Sequence, residues 1–127
     1  MIRTDRDATM TLVVIESPYA GDVERNVAYA KACMRDSLER GEAPFASHLL
    51  YAQEGILDDA VPRERTQGIM AGLAWAQCAS LTAVYSDLGL TPGMEQGILS
   101  ASARGRTITF RHLDGWLEAW NASKGDV

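Results

Sequence analysis

Residues 11–22 read Thr-Leu-Val-Val-Ile-Glu-Ser-Pro-Tyr-Ala-Gly-Asp, and their reading decides the fold. Thr11 to Ile15 is continuous and rich in β-branched residues, without polar alternation. That pattern predicts a strand covered on both faces, as in a parallel sheet. Ser17-Pro18-Tyr19-Ala20-Gly21 is a turn cluster. Asp22 suits a helix N-cap. Behind it Val23, Val27, Ala30, Met34 and Leu38 recur at helical spacing as one apolar stripe, which Gly41 ends. A strand, a short loop and a helix in that order open a βαβ unit.

The alternation continues outward from that unit. Ala43 to Ser47 predicts a short second strand, with His48 to Tyr51 as the loop beyond its carboxyl end. Residues 53–61 are irregular and carry the paired acids Asp58 and Asp59. Pro62 suits the first turn of a helix, whose apolar edge is Ile69, Leu73 and Ala76. Gly68 and Gly72 leave that helix a smooth strip for close packing. Leu81 to Tyr85 predicts the third strand and residues 86–91 the next loop. Thr91 then caps a helix with Pro92 at its first position and a stripe of Met94, Ile98 and Ala101, ended by Gly105. Thr107 to Phe110 predicts a fourth strand. Asp114 to Asn121 predicts a last helix, with Leu113, Trp116, Leu117 and Trp120 on one face. Strands joined by helices run parallel, with right-handed crossovers. The expected fold is a single-domain, doubly wound (flavodoxin-like or Rossmann-like) α/β parallel sheet of four to five strands. It spans residues 10–127 behind a flexible leader, residues 1–9.

Composition sets the limits. The 127 residues hold one domain, and 46% hydrophobic content suits a globular chain. A formal charge of −5 and a pI near 4.9 argue against a broad basic face for a nucleic-acid polymer. No apolar run approaches the roughly 18–20 residues that span a bilayer, and Met1 to Met10 has no signal-peptide h-region. The expectation is a cytoplasmic protein with no membrane partner. Cys33 and Cys78 read as buried, reduced thiols in helices, without a Cys-x-x-Cys pair. His48 and His112 lack metal-ligand spacing. Neither a metal nor another cofactor is expected.

In a doubly wound sheet, ligands bind beyond the carboxyl ends of the strands, where the strand order reverses. That rule selects residues 17–22, 47–54 and 86–95. In the first segment Ala20 and Gly21 let a ligand approach the backbone, and Ser17 and Tyr19 supply hydroxyls. The N–H groups of the helical turn behind Asp22 attract an anion, with Arg25 and Asn26 one turn in. The absence of Gly-x-Gly-x-x-Gly and of a P-loop disfavours a dinucleotide or a Walker-type triphosphate. In the third segment the Asp87 carboxylate suits sugar hydroxyls, and Gly93 again allows close approach. His48 faces the same crevice.

These residues carry a resemblance. The strand before Ser17-Pro-Tyr-Ala-Gly-Asp22, then Glu24-Arg25-Asn26 and a long helix, Ser47-His-Leu-Leu50, Ser86-Asp87, and Gly93-Met94 with Ala101 and Gly105, resemble the nucleoside 2-deoxyribosyltransferase-like superfamily. Its small members, often encoded by phages and actinobacteria, are most similar. The resemblance runs from about Leu12 to His112. It implies a flavodoxin-like sheet, a homodimer or higher homo-oligomer, a nucleoside or nucleotide as small-molecule partner, and no cofactor. It also implies chemistry at an N-glycosidic bond: deoxyribosyl transfer between bases, or hydrolysis of nucleoside 5′-monophosphates. The substrate-binding set is then Ser17, Tyr19, Ala20, Gly21, Asp22, Arg25, Asn26, His48, Ser86, Gly93 and Met94.

The superfamily's glutamate lies four residues after the loop glycine. In this chain that register holds Gly97, and Glu95 stands two residues earlier, about 200° around the helix. Glu95 is the default catalytic carboxylate, with Asp87 oriented on the sugar. Asp87 itself, Asp58 and Asp59, and a neighbouring subunit are the other sources of a carboxylate. A second reading is a nucleotide-derivative binding protein that senses or sequesters without turnover. A third is an interaction protein that docks through Trp116 and Trp120.

Overall fold

The computed structural model describes residues 10–125, so the expected leader 1–9 lies outside the described residues. Strands β1 (Leu12–Glu16), β2 (Ala43–Phe45), β3 (Leu81–Tyr85) and β4 (Thr107–Arg111) form one sheet in the order β2-β1-β3-β4. All three pairings are parallel. Helices α1 (Val23–Glu39), α2 (Ser47–Tyr51), α3 (Pro62–Ala76), α4 (Pro92–Ala103) and α5 (Trp116–Gly125) make the connections. The expected doubly wound α/β architecture is present, with four strands. Among the described residues no helix is long and apolar enough to cross a membrane.

The topology places the site. From β1 the chain steps outward to β2, then crosses back over β1 to β3, and continues to β4. The order reverses between β1 and β3, so the loops leaving their carboxyl ends diverge and open a crevice. Strand alternation then divides the side chains between the two faces. Val13, Ile15, Ala83 and Tyr85 join Tyr29 and Cys33 of α1 in the core on one face. Val14 and Glu16 point to the other face, toward α3 and α4.

Several boundaries differ from the expectation. β1 runs one residue further, to Glu16, and β2 ends at Phe45. Residues 47–51, expected as strand end and loop, form α2 instead. A helical turn lets Leu49 pack against the core, and the Ala52 N–H donates to His48 O. The last helix starts at Trp116 and runs on to Gly125. The buried face of α1 is rotated from the expected stripe. It carries Asn26, Tyr29, Ala30, Cys33 and Ser37, while Val23 and Leu38 are 41% and 54% exposed. Hydrogen bonds satisfy the polar members of that face, so polarity did not keep them out of the core. Cys33 is buried as expected. Cys78 is exposed, because α3 stops at Ala76 and leaves it in the following turn.

The tryptophans are used within the chain. Trp116 meets the Tyr29 ring edge-on at 5.0 Å and stacks on Trp120 at 5.7 Å. Lys124 sits 5.0 Å over the Trp120 ring and pairs with Glu24 of α1 at 3.0 Å. These contacts fasten α5 onto α1. Beneath, Arg111 at the end of β4 donates two hydrogen bonds to Glu42, at 2.9 and 2.7 Å, and one to the Tyr85 hydroxyl at 3.1 Å. The Tyr85 hydroxyl donates to Asp36 at 2.7 Å, and the Ser37 hydroxyl to Glu42 at 2.7 Å. This network ties β4, β3 and α1 to the residue that leads into β2.

Candidate functional site

The site begins where β1 ends. The chain turns through residues 17–21, and Gly21 adopts a φ of +103°, a conformation a side chain would strain. The buried Asn26 amide donates to Tyr19 O at 2.9 Å and Ala20 O at 3.1 Å, holding the turn's carbonyls. Arg25 donates twice to Asn26 Oδ1, at 3.2 Å each, and the Asp22 carboxylate caps α1 by accepting from Arg25 N at 3.2 Å. Asp22, Arg25 and Asn26 therefore shape the loop from behind. Ser17 and Tyr19 face α2. Ser17 Oγ lies 3.3 Å from His48 Nε2, and the Tyr19 and His48 rings are 5.6 Å apart. Burial pushes the His48 imidazole down to about 4, so the ring is neutral at neutral pH.

Between this loop, α2, α3 and the start of α4 lies a cavity of about 370 Å³. That is a usual size for a small-molecule site. Ser17, Tyr19, Ala20, Gly21, His48, Gly93 and Met94 line it together. So do Glu16 and the Asp59–Arg65 pair, whose charged atoms are 4.0 Å apart. The Thr91 hydroxyl caps α4 by accepting from Met94 N at 3.2 Å.

The remaining expected residues stand elsewhere. Ser86 lies outside the lining and donates its N–H to Arg111 O at 3.2 Å. The Asp87 carboxylate accepts from the Tyr29 hydroxyl at 2.6 Å and from Leu113 N at 2.8 Å, and pairs with His112 Nδ1 at 3.2 Å. It latches the β3 loop to α1 and to the chain beyond β4. Glu95 is exposed on the first turn of α4, which starts at Pro92 as expected.

Two acids stand on the cavity wall, Asp59 beside Arg65 and Glu16. The Glu16 carboxyl rests against Gly97 of α4. A Cβ built at Gly97 would come within 2.5 Å of Glu16 Cδ and 2.8 Å of Oε1. The same carboxyl borders a second cavity of about 80 Å³ between α3 and α4, with Gly72, Gly93 and Arg106. Burial pushes Glu16 up to about 8 against the opposing pull of the Arg106 charge. Arg106 offers little more, because its guanidinium is bonded to Ala76 O at 2.8 Å, Ala79 O at 3.3 Å and Thr82 Oγ1 at 3.3 Å.

Reading for motifs passes over Glu16. The signal was its place as the last residue of a strand buried on both faces, where an acid has to lose hydration.

A pH test follows. The folded state holds the Glu16 proton up to about 8, whereas an unburied glutamate releases it near 4.5. The folded protein therefore binds more protons across that window. Stability from this group is complete below about 4.5 and is lost as pH rises through about 8. Melting temperature is expected to fall across that interval in the wild type. It should fall less in Glu16→Gln, the neutral isostere. Parallel curves for the two proteins would refute the burial argument.

A family model described as Domain of unknown function (DUF7768) matches residues 11–111. That span holds all four strands and every residue that lines the crevice. No curated protein matches the chain.

Proposed function

The chain belongs to the DUF7768 family, and we propose that its crevice takes a nucleoside or nucleoside 5′-monophosphate and breaks the N-glycosidic bond by hydrolysis or pentosyl transfer. One observation carries the reading. The segments after β1, β2 and β3, far apart in sequence, line a single cavity of about 370 Å³ that also contains a carboxyl group.

The lining suits the parts of such a substrate. Gly21 and Gly93 line the crevice and put no side chain in the way of a phosphate or hydroxyl, and the start of α4 attracts an anion. The Tyr19 ring, Ile69 and Met94 offer apolar surface to a base. The neutral His48 supplies one ring nitrogen for hydrogen bonding beside Ser17. Breaking the bond from C1′ to the base nitrogen builds positive charge on the sugar, which a carboxylate stabilises. The resemblance to deoxyribosyltransferase-like proteins supports the same chemistry.

The test is chromatographic release of free base from a panel of ribo- and deoxyribonucleosides and their 5′-monophosphates. At least one member is expected to yield base with the wild-type protein. No release from any of them would refute the enzymatic reading. In that event, a rise in melting temperature with a panel member would identify a binding protein, since a ligand at 100 times its Kd adds about 2.7 kcal/mol of stability.

A further inference from the structure

We infer that Glu16 is the catalytic residue of this crevice, its carboxylate reaching from the end of β1 into the space that Gly97 leaves open on α4. The inference rests on the N-glycosidic reading above and names the group that performs it.

The assignment follows from comparing the acids near the crevice. Glu95 is exposed on the outer side of α4. Asp87 accepts two hydrogen bonds, pairs with His112, and lines neither cavity. Asp58 borders other hollows and its carboxylate accepts from Ala60 N at 2.9 Å. Asp59 is on the crevice wall but faces Arg65. Glu16 differs from all four. It stands half-buried at the point where the two cavities meet, with its carboxyl against Gly97.

Its position also accounts for the glycine at 97. A side chain at that position of α4 would occupy the volume the Glu16 carboxyl fills. Only one of the two positions can carry a carboxylate there, and in this chain the strand supplies it.

The chemistry balances with water as the co-reactant. A Glu16 carboxylate oxygen bonds to C1′ as the bond from C1′ to the base nitrogen breaks. The bonding pair leaves with the base, which takes a proton from water. A second attack at C1′, by the hydroxide left behind, breaks the acyl–sugar bond and returns the carboxylate. The sum is nucleoside plus water giving base plus pentose. The ionised carboxyl is the reactive form, so kcat/KM rises with pH through the range where Glu16 loses its proton.

Four proteins test this: wild type, Glu16→Gln, Glu16→Gly, and the interchange Glu16→Gly with Gly97→Glu. Each is assayed for base release on the best substrate of the panel. Glu16→Gln is expected to lose about 1,000-fold in kcat/KM while melting as a folded protein. The interchange is expected to recover at least about tenfold over Glu16→Gly alone, because it returns a carboxylate to the same space. Rapid-quench mass spectrometry of the wild type is expected to find the pentose on the peptide containing Glu16, a readout that needs no variant to fold.

Full activity in Glu16→Gln, or a pentose adduct on another residue, overturns the assignment and leaves the N-glycosidic reading standing. No base release by the wild type removes both.

Discussion

Gly97→Ala is expected to silence the crevice while leaving the fold nearly as stable as before. The added Cβ falls on the Glu16 carboxyl, 2.5 Å from Cδ. That carboxyl is the far end of a flexible side chain, so it can swing aside at small cost. Replacing a helical glycine also gains about 0.5–1 kcal/mol of backbone preference. The net change in stability should stay within about 1 kcal/mol. The displaced carboxyl, however, no longer points into the space where the reaction is proposed to occur. A misplacement of about 1 Å is enough to cost about 100-fold in rate. Thermal melting and base release, measured on the same preparation, separate the two effects. A variant that releases base at the wild-type rate would show that the contact between residues 16 and 97 has no part in catalysis.

Arg111→Met should be the most destabilising of the single changes considered. Arg111 and Glu42 are 8% and 14% exposed in their side chains, and their closest approach is 2.7 Å. Removing the guanidinium leaves the Glu42 carboxylate with little water and only the Ser37 hydroxyl. Loss of one partner from a buried pair costs about 3–5 kcal/mol. The partners hold Glu42 below the usual carboxylate range, with the Arg111 hydrogen bond the largest cause. In Arg111→Met that support is gone, and the carboxyl should take up a proton at higher pH. Arg40→Met removes a half-exposed cation from Asp36 and should cost under about 1 kcal/mol. Urea denaturation of the two variants gives the comparison. Equal losses would mean that the Arg111 network adds no more than a surface ion pair.

The buried network and the Glu16 pocket lie on opposite faces of the same sheet. Tyr85 and Arg111 are register partners that face α1. Glu16 is the register partner of Val84 and faces α4. Arg111→Met therefore reports on the integrity of the sheet and Gly97→Ala on the crevice. A change confined to either face identifies which function was lost.

Much of the crevice was legible in the sequence because it obeys local rules. Ser17 through Gly21 form a turn, Thr91 and Pro92 start a helix, and the reversal of strand order is where such sheets hold ligands. Seven of the expected binding residues line the same cavity. Asp22, Arg25 and Asn26 follow Gly21 directly but lie behind it, because a helical turn rotates them off the crevice side. Asp87 is at the expected end of β3, yet its hydrogen bonds go to residues 58 positions before it and 26 after it. A spacing rule does not contain either partner.

By itself the sequence determined the order of the four strands and of the helices other than α2, the parallel pairing and the three segments at the carboxyl ends. Those depend on short-range periodicity, capping and turn chemistry, which neighbouring residues impose on one another. The tertiary structure alone brought Glu16 to the crevice. Glu16 and Gly97 are 81 positions apart in the chain, and their relation exists only because β1 and α4 pack face to face. Burial, which gives the Glu16 carboxyl its altered protonation, is a property of that packing and not of the residues beside it.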